Sequence, residues 1–82
     1  MRFFFDTEGG TERFHDELGM ELPNLEYVRA TARVALIELA RDEAAKGAVP
    51  ELRMLVRNER DDVVLKVLLH LEVEEPKPRI IF

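Results

Sequence analysis

Cysteine, tryptophan and long apolar runs are all absent from this 82-residue chain. Without cysteine the chain can form neither a disulfide nor a thiolate metal site, which favours a reducing compartment. The longest uninterrupted apolar run, Val34 to Ile37, is far too short to cross a bilayer. Met1-Arg2 leads into only three Phe before Asp6, a pattern unlike that of a signal peptide. We therefore expect a cytoplasmic protein with no membrane partner.

A large excess of positive charge is also absent. The net charge of the chain is −5, which argues against bulk binding to a polyanion. Apolar residues make up 46% of the chain and charged residues 35%, a balance typical of a globular protein. A chain of this length allows one small domain, whose core is marginal unless it is well packed or completed by a second copy.

The first part of the chain has the pattern of a short hairpin. Residues 2–6 and 11–16 are predicted strands, and Gly9-Gly10 between them tolerates the positive φ of a tight turn. Residues 16–19 read as a turn that leads out of the second strand. No internal repeat is visible.

The rest of the chain predicts one helix and a second hairpin. Asn24 can cap a helix that runs to about Lys46 and stops at Gly47. Residues 52–57 and 62–73 are the third and fourth strands. The pattern predicts an α+β fold of ββαββ order, in which one long helix packs on a small antiparallel sheet.

The most informative pattern is an unbroken alternation of apolar residues over residues 62–73. A strand of that length spans roughly 40 Å at about 3.3 Å per residue, so we expect something beyond its own hairpin to cover the excess. We take residues 1–73 as a single domain and residues 74–82 as a C-terminal tail. Pro76 and Pro78 in the tail cannot donate hydrogen bonds to a sheet.

The expected hairpin registers predict which residues share the core face. A two-residue loop in the first hairpin sets Phe5 opposite Phe14 and Phe4 opposite His15. A four-residue loop in the second sets Val56 opposite Val63, and Arg53 opposite Lys66. The predicted sheet core is then Phe3, Phe5, Phe14, Leu52, Met54, Val56, Val63, Leu65, Val67 and Leu69.

Two segments carry a family resemblance, Arg2-Phe3-Phe4-Phe5-Asp6 and Asp16-Glu17-x-Gly19-x-Glu21-Leu22-Pro23-Asn24-Leu25-Glu26. They resemble an uncharacterised family of small bacterial proteins, domain of unknown function 6894. The likeness covers roughly residues 2 to 71. Members typically carry an Asp-Gly turn before the last strand, where this chain has Arg60-Asp61. The resemblance supports the fold boundaries and implies no activity.

The predicted helix has two apolar faces. At about 100° per residue, one face should pack on the sheet through Leu25, Val28, Ala32, Ala35, Leu36 and Leu39. Scattered apolar residues are ordinary on a surface, but four apolar residues share nearly the opposite face of the helix. They are Tyr27, Ala30, Val34 and Ile37. Either a second subunit or the folded-back segment 80–82 should cover them. With the far end of the long strand, the predicted dimer surface is Tyr27, Ala30, Val34, Ile37, Leu69, Leu71 and Val73.

The sheet face away from the helix is predicted to be locally basic and partly apolar. Its candidate interaction residues are Arg2, Phe4, Arg13, His15, Arg53, Arg57, Lys66 and His70. Basic sheets with exposed aromatics stack bases in some RNA-binding modules, but Phe4 is the one aromatic available here and no RNA-binding motif is present. A solvated face, or a dimer surface neutralised by acids of a neighbour, is preferred. Nucleic-acid binding stays the alternative.

Catalytic machinery is not recognisable in the sequence. His15, Asp16 and Glu17 are adjacent, so on a strand they point to alternate sides. His15 and His70 can share a face but lack a third metal ligand. Gly9-Gly10 is too short to cradle a phosphate. We predict no catalytic residue, no cofactor and no metal. The expected protein is a non-enzymatic interaction or accessory protein, a homodimer with a further protein partner left open.

Overall fold

The computed structural model describes residues 1–9, 12–47 and 51–77. These residues form one helix and a five-stranded antiparallel sheet, which confirms the predicted α+β class and the order of two hairpins around a helix. The elements in chain order are β1 (Arg2–Gly9), β2 (Glu12–Phe14), β3 (Met20–Glu21), α1 (Leu25–Ala45), β4 (Glu51–Arg57) and β5 (Val63–His70).

Strand β1 joins the two hairpins. It pairs with β4 along one edge, while along its other edge it pairs with β3 near its start and β2 near its end. Strand β5 pairs with β4, so the sheet has the order β2-β1-β4-β5, with β3 beside β1. The sequence left the strand order open and did not predict β3, because two residues are too few to show a periodicity.

The helix begins and ends as the sequence predicts. Asn24 has an extended backbone (φ −162°, ψ 174°), and its side-chain oxygen accepts the backbone N–H of Tyr27 at 3.1 Å. The capped end satisfies a donor that the first turn would otherwise leave unpaired. The helix ends at Ala45, and Gly47 follows with a φ of +76° that favours glycine.

The core lies between α1 and the β4–β5 half of the sheet. Its buried residues are Phe3, Val28, Ala32, Leu36, Leu52, Met54 and Val56. Burial of one such side chain contributes roughly 1.5–3 kcal/mol before the entropy of ordering is subtracted. The predicted helix face is confirmed except for Leu25, which is 38% exposed at the first turn of α1. Most of the predicted sheet core is confirmed, with Phe5, Leu65, Val67 and Leu69 partly buried against the core.

The predicted register of the first hairpin is wrong by two residues. Phe14 lies opposite Thr7 and not opposite Phe5, and β2 ends before His15. Alternation fixes the face of a strand but not a shift of two residues along it. This shift moves Phe14 toward the Gly9 end of β1. Phe14 is 61% exposed there and does not belong to the core. Residues 10 and 11, which include half of the predicted Gly9-Gly10 turn, lie outside the described residues.

The predicted register of the second hairpin is also wrong. Val56 lies opposite Leu65 and Arg57 opposite Val63, with a β-bulge between these two pairs. The bulge adds Val64 to the strand, which turns Val64 toward the core and leaves Val63 exposed. Val63 is therefore not a core residue.

The bulge moves the other predicted pair as well. Arg53 lies opposite Leu68 and not opposite Lys66. The shift is again by two residues, so Arg53 and Lys66 keep the face that the alternation predicts for them.

The predicted long strand is shorter than its alternation indicates. Strand β5 ends at His70, which lies opposite Glu51, the first residue of β4. Leu69 is paired with Leu52 and packs against the core, so the prediction that it overhangs the third strand is wrong. Residues 71–77 are all exposed and belong to no strand. The predicted fold-back of residues 80–82 lies outside the described residues.

Candidate interaction surfaces

The outer face of the sheet, away from α1, carries charges of both signs. Glu8 lies between two cross-strand arginines, Arg13 of β2 and Arg53 of β4. At the end of β5, Nδ1 of His70 lies 3.9 Å from the carboxylate of Glu51. The chain's own acids are therefore interleaved with the basic residues that the sequence predicts for this face.

A polar cluster lies on the outer face beside the β4–β5 loop and consists of Asp6, His15, Asp16, Arg57 and Asp61 (the Arg57 cluster). The guanidinium holds Asp6 in a fork, with Nε 2.7 Å from Oδ2 and Nη2 3.1 Å from Oδ1. Its Nη1 donates to Asp61 at 2.7 Å, and Nη2 also donates to the backbone oxygen of Asp16 at 2.9 Å. Nδ1 of His15 lies 3.4 Å from Asp6. Arg57 thus ties β1, the loop after β2 and the β4–β5 loop together.

Phe4 lies under this cluster. The Cζ atom of Arg57 is 5.1 Å from the centroid of the Phe4 ring, a cation–π distance. The aromatic side chain that was the candidate platform for a nucleic-acid base is therefore already stacked against an arginine of its own chain.

The charges in the Arg57 cluster are fixed by their hydrogen bonds. Partial burial acts to raise the pKa of Asp6, but hydrogen bonds from Arg57 and from the backbone of Asp16 outweigh burial and lower the pKa below its ordinary value. Hydrogen bonds to Asp6 and Asp61 raise the pKa of Arg57 above its already high value. General acid–base catalysis works best with a pKa near the working pH, and the two shifts move Asp6 and Arg57 away from it.

Along the edge of β1, Asp16 bonds to the stretch that lies between the residues paired with β2 and those paired with β3. Its Oδ2 accepts the backbone N–H of Phe5 at 3.0 Å, and its Oδ1 accepts those of Leu18 and Gly19 at 3.1 Å. Burial acts to raise the pKa of Asp16, but these three hydrogen bonds lower it below its ordinary value. The carboxylate is therefore committed to holding the loop of residues 15–19 against β1.

The other members of the predicted interaction face are spread over the sheet. Arg2 lies at one end, where Nη1 donates to the backbone oxygen of Leu18 at 2.6 Å and Nε lies 3.5 Å from Glu21. Lys66 and His70 lie on β5 at the outer edge. The structure thus brings together Phe4, His15 and Arg57 but not the whole predicted set, and a binding role for this face stays a prediction.

The contacts made by the β4–β5 loop were not predicted from the sequence. The side-chain oxygen of Asn58 accepts two backbone N–H groups of the loop, at 2.9 and 3.0 Å. Glu59 accepts the backbone N–H of Arg2 at 2.8 Å. Asp61 has a φ of +67°, so it adopts at this turn the conformation that glycine favours. The short polar run between two apolar strands was the available signal, because Asn and Asp favour such turns.

The predicted dimer surface divides into two separate regions. Tyr27, Val34 and Ile37 are 58%, 57% and 61% exposed on the face of α1 that points away from the sheet, and Ala30 is exposed beside them. Leu71 and Val73 are exposed just beyond β5. Leu69 is the exception, because it packs against the core.

A mainly apolar groove of about 680 Å³ lies between α1 and the β1–β2 half of the sheet. It exists because α1 packs over β4 and β5 and leaves the inner face of β1 partly uncovered. Phe5, Leu39 and Met54 are among the residues that line it. Phe14, which was predicted to lie in the core, is also part of its wall.

Residues 1–9, 12–47 and 51–77 contain no group of three or more His, Cys, Asp or Glu side chains placed to hold a metal ion. Their one helix, α1, is not apolar enough along its length to cross a membrane.

The family model described as Domain of unknown function (DUF6894) matches residues 2–70. The chain belongs to this family. The match confirms the resemblance and runs from the start of β1 to the end of β5. The description of DUF6894 assigns no activity, and the bacterial origin that the resemblance implies stays a prediction. Comparison with curated proteins gives no match, and comparison with solved structures gives none.

Several residues that carry the DUF6894 resemblance stabilise the fold. Asp6 and Asp16 hold loops, and Asn24 caps α1. Gly19 has a φ of +71°, and a Cβ atom there would lie 2.9 Å from the backbone oxygen of Phe3. Glycine fits this close approach because it has no side chain. The segments by which this DUF6894 chain resembles its family thus hold the fold together.

Proposed function

We propose that this DUF6894 protein acts by binding and not by catalysis, as a homodimeric interaction or accessory protein. The observation that carries the proposal is the number of large apolar side chains left in water by so small a domain. Three lie together on α1 and four more, Val63, Leu68, Leu71 and Val73, lie along β5 and just after it. Contiguous exposed apolar surface is typical of interaction sites.

The state of the polar side chains supports a binding role. Arg57 donates to two carboxylates and a backbone oxygen, and Asp16 accepts three backbone N–H groups. Side chains committed in this way are poorly suited to turn over a substrate, because catalysis would break bonds that hold the loops.

The size of the core supports the homodimer. Small domains bury a low fraction of their surface and are often completed by association. Each apolar side chain removed from water contributes roughly 1.5–3 kcal/mol before the cost of association, so a few of them suffice for a dimer if the two surfaces fit.

Nucleic-acid binding, the alternative, has less support. Phe4 is stacked by Arg57, and Glu8 lies between Arg13 and Arg53 on the face that would meet phosphates. Retention on immobilised single-stranded RNA that weakens steeply with added salt would favour the alternative, since phosphate contacts release counterions. We expect no such retention.

The homodimer is tested by light scattering on the full chain from micromolar to near-millimolar concentration. The expected molar mass rises with concentration toward twice the 9.5 kDa of the chain. A mass of one chain over the whole range would contradict the homodimer, and the proposal of a binding function would then require another partner on the same exposed surfaces.

A further inference from the structure

The apolar alternation of the sequence and the length of β5 do not agree. Strand β5 ends at His70 because it has reached the first residue of β4, yet the alternation continues through Leu71 to Val73. Leu71 and Val73 are 51% and 77% exposed. Among the residues described, β4 is the one strand paired with β5, so none of their strands pairs with its second edge. The apolar alternation therefore continues three residues beyond the segment that the described sheet pairs.

We propose that residues 65–73 pair antiparallel with the same residues of a second copy, about a two-fold axis at Leu69. This inference rests on the proposed homodimer and names its interface. The result is one continuous sheet in which the β5 edges of both copies are covered. Long exposed edges invite unwanted pairing, and an isologous contact is a common way to cover one.

The register follows from the two ends of the regular segment. At one end the β-bulge beside Val64 interrupts the alternation, so regular pairing on this edge starts at Leu65. At the other end the alternation stops at Val73, before Glu74 and Glu75. In a two-fold antiparallel pair the axis lies at the middle of the paired segment, and the middle of residues 65–73 is Leu69. A shift by one residue in the pairing would put core-side residues opposite outer-side ones.

The side chains that this register sets opposite each other are compatible. On the helix side, Leu65 lies opposite the partner's Val73, and Val67 opposite the partner's Leu71, so the two exposed apolar residues gain apolar neighbours. On the outer side, Lys66 lies opposite the partner's Glu72, and the pair occurs twice by symmetry. Leu68, which is 57% exposed, lies opposite the partner's His70. Opposite charges and apolar pairs both stabilise neighbouring strands.

The arrangement would set two copies of α1 side by side. Neighbouring strands lie about 4.8 Å apart, and α1 packs over both β4 and β5. Near the two-fold axis the two helices would thus lie about 10 Å apart on the same side of the sheet, which is close to an ordinary helix packing distance. The apolar stripe of Tyr27, Val34 and Ile37 faces away from the sheet and stays exposed.

A charge exchange tests the register through the dimer dissociation constant. Lys66→Glu places two carboxylates opposite each other at two symmetric positions, so we expect the dissociation constant to rise about 3- to 30-fold. The double variant Lys66→Glu/Glu72→Lys restores opposite charges and should return the constant to near that of the unchanged protein. Lys66 and Glu72 are both exposed, so the fold should be unaffected.

Disulfide trapping gives an independent test, because the chain has no cysteine of its own. A mixture of Lys66→Cys and Glu72→Cys chains should form a mixed disulfide under mild oxidation, since directly opposed residues meet the required Cα distance. Each variant alone should not cross-link, because like positions would then lie about 20 Å apart at 3.3 Å per residue. A mixture of Lys66→Cys and His70→Cys chains is the matched control, and it would cross-link if the axis lay at Leu68.

The outcomes separate the register from the homodimer itself. A dimer by light scattering that is neither trapped by the mixed cysteines nor restored by the charge exchange would overturn the β5 register and leave the homodimer standing. A single-chain mass at every concentration would overturn both.

Discussion

The Arg57 side chain donates hydrogen bonds to three residues whose proximity cannot be seen in the sequence. Its guanidinium joins Asp6 of β1, the loop at Asp16 and the loop at Asp61, while its side chain is only 14% exposed. Hydrogen bonds to charged groups contribute about 1.5–3 kcal/mol when they are partly buried. A substitution of Arg57 therefore acts on the fold, and it is not a clean probe of binding by the outer face.

Replacement of Arg57 by Ala should lower the free energy of unfolding by about 2–3 kcal/mol, because Asp6 loses its partner while it stays partly buried. Arg57→Lys should recover only part of the loss, since an ammonium group cannot form the two-pronged contact. Arg53→Ala is the matched control, four residues before Arg57 on β4 and with an exposed side chain, and should change stability by less than about 0.5 kcal/mol. Urea unfolding measures all three, and equal effects for Arg57 and Arg53 would contradict the structural role.

The lowered pKa values of Asp6 and Asp16 predict a loss of stability in acid. A carboxyl whose pKa is lower in the folded state than in the unfolded state contributes stability above its unfolded pKa, about 3.9. That contribution is lost as the pH falls through the folded pKa. The free energy of unfolding should change little from pH 7 to about pH 5 on account of these two groups and decline below about pH 4.

The acid dependence can be assigned with a variant. Asp6→Asn removes one of the two titrating groups, so urea unfolding between pH 7 and pH 2.5 should show a smaller acid decline than in the unchanged protein, from a lower starting stability. An acid decline of the same size in both proteins would show that Asp6 does not contribute to it.

At the scale of the elements, the sequence predicted those features that depend only on residues within one segment. The helix was predicted correctly because Asn24, Gly47 and the apolar periodicity between them act within the segment. The registers of both hairpins were not, since a shift of two residues keeps every side chain on its face. The bulge at Val64 and the two-residue β3 depend on contacts between distant parts of the chain, and alternation alone does not contain them.

Asn24→Ala should lower the free energy of unfolding by about 1 kcal/mol, because it removes the acceptor for the Tyr27 N–H and leaves the packing of α1 intact. Asn24→Ser keeps a cap acceptor and should cost only a few tenths of that amount. Thermal and urea unfolding of the three proteins provide the comparison. A melting temperature unchanged by the alanine variant would mean that the cap makes no net contribution.

For the whole molecule, the exposure of apolar residues on α1 could be predicted from the sequence more readily than the geometry of the surface. Exposed apolar residues on α1 were predicted from periodicity, and the structure leaves them exposed. The groove between α1 and β1 was not predicted, because it depends on where the helix lies across the sheet. The Arg57 cluster was missed for a similar reason, since Asp6 and Arg57 are distant in the sequence and meet only when β1 pairs with β4.

The stripe on α1 and the β5 edge can be separated by experiment. In the β5-paired dimer the stripe faces outward, so Val34→Glu/Ile37→Glu should leave both the fold and the dimer dissociation constant unchanged, because neither side chain is in the core. Light scattering and circular dichroism measure the two quantities. Loss of the dimer with the fold intact would place the interface on α1 instead of β5.

The two edges of the sheet are unequal, and this inequality limits how large an assembly can grow. Strand β5 offers a continuous edge, whereas the opposite edge is broken into a three-residue strand and a two-residue strand, with the Asp16 loop between them. A broken edge is a poor template for another strand, so once two β5 edges have met, the sheet has no equivalent edge left to extend. Association through β5, as proposed above, would therefore close at two copies, and the aspartate that holds the loop in place would help to keep the opposite edge from extending the sheet.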